Sequence, residues 1–122
     1  MLGYITLGTD DLEKTSAFFD KLLQPLGAKR LLEVPRGVFW GTDLTKPFMG
    51  VMKPFDGKAA ACGNGTMVAL SVGSREQVDQ MYKLAMDMGS TCEGAPGERM
   101  PGFYAAYFRT PQGYKMNFFK LG

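Results

Sequence analysis

The sequence predicts an α+β fold in which one arrangement, strand-helix-strand-strand-strand, occurs twice. Two amphipathic helical patterns each follow a short apolar run of the kind that forms a β-strand. Further strand-like runs follow each helical pattern and are separated by turns that contain glycine and proline. The halves repeat with a period of about 63 residues, so that Ile5 corresponds to Val68 and Phe19 to Tyr82.

The first half opens with a strand and a helix. Residues 2–7 form an apolar run with β-branched members, which is typical of a strand. Asp10 and Glu13 have the spacing of a capping box, and apolar residues at helical intervals predict an amphipathic helix over 11–23. Pro25 lies just beyond the last apolar position and ends the helix.

Three strands are predicted after this first helix. They cover residues 29–34, 38–42 and 48–53, and each is rich in apolar or aromatic residues. Residues 54–64 carry proline, Asp-Gly and Gly-Asn-Gly, so we expect a loop that links the two halves.

The second half restarts the pattern. Residues 66–72 predict a strand, and Ser74 with Gln77 predicts a capping box at the start of the second helix. An apolar stripe runs over 78–86, and Gly89 closes the helix.

The end of the chain predicts a hairpin. Residues 103–109 and 114–120 are strand-like, and the Thr-Pro-Gln-Gly sequence at 110–113 is a good turn between them. Before the hairpin we expect a short strand at 91–93 and a glycine- and proline-rich loop at 95–102.

Composition excludes several classes of protein. The 122 residues are 45% hydrophobic and 21% charged, which excludes a wholly disordered chain. The net charge of +2 is too small to indicate nucleic acid or an anionic membrane surface as a partner. No apolar run has the length of a membrane span, and no signal peptide is recognisable, so we expect a cytoplasmic protein.

Histidine is absent from the chain. This excludes a Ser-His-Asp triad, a Cys-His pair and any histidine-ligated metal within the chain. The two cysteines, Cys62 and Cys92, are too few for a disulfide framework or a zinc cluster, and we expect both to be reduced.

Three segments in the expected order resemble the vicinal oxygen chelate superfamily of glyoxalases, bleomycin-resistance proteins and extradiol dioxygenases. Residues 4–12, which run into 17–20, are similar to its first strand and helix, 63–70 to the start of its second module, and 104–115 to its final hairpin. The resemblance implies two βαβββ modules whose sheets curve into an open, barrel-like cleft with the helices outside.

The whole chain, 1–122, is then expected to form a single domain of this superfamily. Module one covers about 1–55, a linker about 56–64 and module two about 65–122. Members of the superfamily commonly dimerise, and a homodimer is expected.

Metal enzymes of this superfamily hold their ion with histidine, glutamine or glutamate on the first and last strands of each module. The matching positions in this chain are Tyr4, Met52, Met67 and Asn117. None is a normal ligand for a hard or borderline divalent ion. We therefore expect neither a metal site nor another cofactor, and glyoxalase and dioxygenase chemistry are in doubt.

Strand alternation then predicts the wall of the cleft, because every second residue points to the same face. Internal symmetry places Trp40 opposite Tyr107. The predicted ligand-binding residues are Tyr4, Thr6, Trp40, Met52, Met67, Ala69, Tyr107, Arg109, Asn117 and Phe119. Such an aromatic and thioether wall suits a flat organic ligand, but it is also compatible with a second, filled core.

Two polar members of this wall admit alternatives. Arg109 either binds a ligand carboxylate or is solvated or paired with an acid. Asn117 either orients a ligand amide or forms a hydrogen bond with Tyr4.

The sequence therefore favours a metal-independent protein that binds an aromatic or amphipathic small molecule, with no catalytic residue assigned. The alternatives are a lyase or isomerase that acts without a metal and a structural, dimerising domain with a filled cleft. Nucleic acid and membranes are not expected as partners.

Overall fold

The computed structural model describes all residues from Met1 to Gly122. The chain divides into two compact units, Met1–Cys62 and Gly63–Gly122. Each unit has the order strand-helix-strand-strand-strand, as the sequence predicts, and each contains one open four-stranded sheet.

Unit one has its first strand beside its last. The sheet order is β1-β4-β3-β2, with β1 parallel to β4 and the other neighbours antiparallel. Its elements are β1 (Tyr4–Gly8), α1 (Leu12–Leu23), a 3-10 turn (Gln24–Leu26), β2 (Lys29–Val34), β3 (Gly37–Gly41) and β4 (Phe48–Met52).

Unit two repeats this topology. The order is β5-β8-β7-β6, with β5 parallel to β8. Its elements are β5 (Val68–Ser71), α2 (Arg75–Asp87), β6 (Thr91–Met100), β7 (Phe103–Arg109) and β8 (Lys115–Leu121).

The N-terminus of α1 is capped by Asp11, whose carboxylate accepts a hydrogen bond of 3.0 Å from the backbone N–H of Lys14. The sequence predicted Asp10 as the cap, which is one residue too early. Its carboxylate accepts the backbone N–H of Ala60 at 2.8 Å instead. Of two adjacent aspartates, only the one that immediately precedes the helix reaches the free N–H groups of its first turn.

The capping residues of α2 are the predicted ones. Ser74 Oγ accepts the backbone N–H of Gln77 at 3.1 Å, and Gln77 Oε1 accepts the N–H of Gly73 at 2.7 Å. The helix ends at Asp87, and Gly89 follows with a φ of 93°, a left-handed conformation that favours glycine.

The core of unit one lies between α1 and one face of its sheet. Phe19 and Leu22 on the helix and Trp40 and Val51 on the strands are almost fully buried. The ring centroids of Phe19 and Trp40 are 5.6 Å apart, and Trp40 Nε1 donates a hydrogen bond of 2.9 Å to Asp20. Each such buried apolar side chain stabilises the unit by about 1.5–3 kcal/mol.

The core of unit two is built in the same way. Val78 and Met81 on α2 pack with Phe108, Met116 and Phe118 on the sheet, and all five are buried. The rings of Phe108 and Phe118 stack with centroids 5.2 Å apart. In both units the helix therefore covers one face of the sheet and leaves the other without a helix.

The largest departure from the predicted elements is β6. Residues 95–102 were expected to form a loop, whereas β6 runs over ten residues to Met100 and pairs with β7. Its register shifts at three places. An edge strand with bulges tolerates glycine and proline, because part of its hydrogen-bonding potential is not used in the sheet.

Neither helix is long and apolar enough to cross a lipid bilayer.

Candidate functional site

An aromatic cluster covers the sheet face of unit one that lies opposite α1. The register pairs Tyr4 with Phe48 and Phe39 with Gly50, so these residues share a face. Tyr4 stacks on Phe48 with centroids 5.3 Å apart and meets Phe39 edge-on at 5.7 Å. A Cβ atom on Gly50 would overlap the Phe39 ring, so glycine allows this ring to lie flat on β4.

A pocket of about 450 Å³ opens beside this cluster. This volume lies in the range of small-molecule sites. Its walls combine apolar and polar surface in similar amounts, and they include Tyr4, Thr6, Phe39, Met52, Phe55 and Arg36. Three of the residues predicted from the sequence therefore line one pocket within unit one: Tyr4, Thr6 and Met52.

At the rim of the pocket, the positively charged Arg36 lies over the exposed ring of Phe55. The guanidinium carbon of Arg36 lies 5.2 Å from the ring centroid of Phe55, and Arg36 Nη1 donates a hydrogen bond of 2.8 Å to the carbonyl of Lys53. Phe55 is 91% exposed, which is unusual for so large an apolar side chain. Sequence reasoning missed Phe55 because it lies in the predicted loop.

Trp40 was predicted to line the site, and this placement is wrong. The side chain is 1% exposed and lies on the α1 side of the sheet, where it contacts Phe19 and Asp20. Phe39, one residue earlier, occupies the face that Tyr4 shares. A shift of one residue along a strand moves a side chain to the other face, and the approximate internal repeat does not fix that register.

The corresponding face of unit two carries the other predicted residues. The register pairs Asn117 with both Ala69 and Tyr107, and it pairs Phe119 with Ala105, which puts these side chains on one face. Met67 precedes β5 and is 42% exposed.

Asn117 is the most buried polar residue of this face, with 1% of its surface exposed. Its side-chain oxygen accepts no hydrogen bond. An acceptor left unsatisfied in this way costs about 1–3 kcal/mol, which a hydrogen-bond donor brought by a ligand would offset.

Arg109 is engaged within unit two. Its Nε donates to Glu93 at 2.9 Å, and its Nη1 donates to the carbonyl of Gly113 at 2.8 Å. Of the two alternatives for Arg109, pairing with an acid is the one that the structure contains.

The family metal positions do not fit a divalent ion. Tyr4, Met52, Met67 and Asn117 offer a phenol, two thioethers and an amide, and none supplies a carboxylate or an imidazole. No three histidine, cysteine, aspartate or glutamate side chains gather anywhere in the chain in an arrangement that could hold a metal ion.

The duplicated βαβββ unit and its helix-free sheet faces define the class of glyoxalase-like proteins. A family model described as Glyoxalase/Bleomycin resistance protein/Dioxygenase superfamily matches residues 1–118. The chain belongs to this superfamily. No curated protein matches the chain.

Solved structures share this fold. A glyoxalase/bleomycin resistance protein from Albidiferax ferrireducens T118 is 31% identical, with a TM-score of 0.87 over 98% of this chain and 97% of that one. A glyoxalase/bleomycin resistance protein/dioxygenase family enzyme from Burkholderia phytofirmans is 20% identical, with a TM-score of 0.79 over 98% of both chains.

A third similar structure is a fosfomycin resistance protein from Listeria monocytogenes, complexed with Mn(II) and 1S,2S-dihydroxypropylphosphonic acid. It is 18% identical, with a TM-score of 0.72 over 97% of this chain and 87% of that one. At this identity the likeness concerns the fold alone.

Proposed function

We propose that this protein binds an aromatic or amphipathic small molecule without a metal ion. The observation that carries the proposal is the pocket of about 450 Å³ in unit one, whose walls combine Tyr4, Phe39 and Met52 with the exposed ring of Phe55. Aromatic walls stack on flat ligands, and the flexible thioether of methionine adapts to their outline.

The expected affinity is modest and comes mainly from burial. A ligand that buries about 150 Å² of apolar surface gains roughly 4 kcal/mol, before the loss of its translational and rotational freedom. Arg36 on the rim and Thr6 on β1 supply the polar contacts that orient the ligand.

The titratable groups of the pocket favour binding over turnover. Tyr4, Arg36, Lys53 and Asp56 line it, and no hydrogen bond joins the side chains of any two of them, because the Arg36 guanidinium donates to the backbone carbonyl of Lys53. General acid–base catalysis needs a proton donor or acceptor that other side chains hold in position. We therefore assign no catalytic residue.

We also propose that the protein is a cytoplasmic homodimer. The edge strand β2 supports a dimer, because one of its sides has no strand partner and its Leu32 and Val34 are 42% and 41% exposed. Sedimentation equilibrium over a range of protein concentrations measures the mass in solution. A monomer at all concentrations would refute this part of the proposal.

Titration with N-phenyl-1-naphthylamine, an uncharged aromatic fluorophore, tests the binding function. We expect saturable binding at one site per chain, unchanged by a chelator. Tyr4→Ala and Phe55→Ala each remove a ring from the pocket wall, and each is expected to weaken binding about tenfold. Both side chains are more than half exposed, so neither variant should unfold the protein.

Leu44→Ala is the matched control, because Leu44 is 53% exposed and does not line the pocket. It should bind the fluorophore like the wild type. Absence of saturable binding, or an equal loss in all three variants, would contradict the proposed site.

A further inference from the structure

A second cluster of functional groups lies in unit two, around the ring of Tyr107. The guanidinium carbon of Arg99 is 5.3 Å from the ring centroid, and the ammonium nitrogen of Lys115 is 6.0 Å from it. One aromatic ring thus holds two cations on the sheet face that also carries Asn117.

The backbone of β6 makes room for the Arg99 side chain. A Cβ atom on Gly97 would lie 2.9 Å from Arg99 Nη1, and one on Gly94 would lie 3.1 Å from Nη2. The carbonyl of Ala95 accepts a hydrogen bond from Nη2. Two glycines and one carbonyl of the same bulged strand therefore fix the guanidinium against the Tyr107 ring.

Neither cation has an anionic partner. Arg99 and Lys115 form no ion pair, whereas Arg109 on the same face is paired with Glu93. Glu98, the neighbour of Arg99 in the sequence, is paired with Arg75. Two unpaired positive charges beside one ring repel each other, and an anion between them would be attracted to both.

Asn117 adds a directional group to this face. It is the partner of Tyr107 on the adjacent strand β8, on the same face of the sheet. Its buried side-chain oxygen has no hydrogen-bond partner. A ligand hydroxyl or N–H group that reached this oxygen would satisfy it.

From this arrangement we propose that Arg99, Lys115, Tyr107 and Asn117 form a binding site for an organic anion, a carboxylate or a phosphate ester that also carries a hydrogen-bond donor. The guanidinium and the ammonium bind the anionic group, and Asn117 accepts a hydrogen bond from the donor. The site rests on unit two alone and does not depend on the pocket proposed in unit one.

Calorimetric titration with three small probes tests this site. 4-Hydroxybenzoate and 4-hydroxyphenyl phosphate supply the two kinds of anion, each with a hydroxyl donor, and 4-hydroxybenzamide is the uncharged counterpart of the first. We expect at least one anion to bind about tenfold more tightly than the amide. The tighter of the two anions identifies the preferred group. Equal affinity for all three probes, or no binding of either anion, would overturn the proposal.

Two variants distinguish a specific binding site from a general attraction of the anion to the positively charged protein. Arg99→Gln should reduce the affinity for the anion about tenfold. Gly97→Ala keeps every charge but places a Cβ atom against the guanidinium, and it should also weaken binding.

Lys83→Gln removes one positive charge from α2 in the same unit, at an exposed position that is paired with Asp87, and serves as the control. It should leave the affinity for the anion unchanged. If Arg99→Gln and Lys83→Gln lower that affinity equally, the attraction is diffuse and the site does not exist.

Discussion

At the scale of single residues, Asp20 links α1 to the sheet of unit one. Its carboxylate accepts hydrogen bonds from Arg30 at 2.9 and 2.8 Å and from the indole N–H of Trp40 at 2.9 Å. The hydrogen bond from Arg30, with smaller contributions from Trp40 and the positive charge of Arg30, holds the pKa of Asp20 below its ordinary value. This cluster joins the only tryptophan, on the helix side of the sheet, to α1.

Asp20 makes the stability of unit one depend on pH. A carboxyl group whose pKa is lowered by folding stabilises the folded state above its unfolded pKa of about 3.9, and this contribution is lost as the pH falls through the folded pKa. Asp20→Asn keeps an acceptor for Trp40 but cannot ionise. We expect the variant to be less stable than the wild type near neutral pH, and the difference to shrink as the pH falls below about 4.

Urea denaturation of both proteins across this range measures the difference in unfolding free energy. A difference that stays constant with pH would show that the ionised carboxylate of Asp20 does not stabilise the fold through Arg30.

At the scale of elements, the two helices were predictable because each has a local start and stop signal. The apolar stripe, the capping residues and the following glycine lie within a few residues of one another, and the structure differs by a residue or two at the ends. β6 was not predictable, because its strand character comes from pairing with β7 and its own sequence, TCEGAPGERM, is typical of a loop.

Substitution of Asp11 tests how much the N-terminal cap of α1 stabilises the protein. Asp11→Ala removes the acceptor for the Lys14 N–H, and we expect the protein to lose about 1 kcal/mol of stability. Asp11→Asn keeps a side-chain oxygen at the same position and should stay close to the wild type. Thermal or urea unfolding measures both, and an equal loss in the two variants would contradict the cap.

At the scale of the whole molecule, the duplicated order of elements was visible in the sequence, because apolar periodicity and turns recur at about 63-residue spacing. The candidate sites were visible only in part. Tyr4, Thr6 and Met52 line the pocket of unit one, but Phe39 takes the face that was assigned to Trp40. The missing information is strand register, which depends on long-range pairing.

Arg99 and Phe55 illustrate a second limit. Both lie in segments that the sequence predicts to be loops, and nothing local indicates that Arg99 packs on Tyr107 or that Phe55 lies under Arg36. Only the folded backbone brings Arg99 to the Tyr107 ring and Phe55 to the pocket of unit one. The sequence can thus predict the type of wall, aromatic and thioether, more readily than its individual members.

Native mass spectrometry of freshly purified protein tests the proposal that this chain binds an organic ligand without a metal. The donor groups of Tyr4, Met52, Met67 and Asn117 suit no divalent ion, so we predict no stoichiometric transition metal in any charge state. We also predict that the protein either retains an organic molecule or gains the mass of N-phenyl-1-naphthylamine when this fluorophore is added. A transition metal bound at one equivalent per chain would refute metal-free binding.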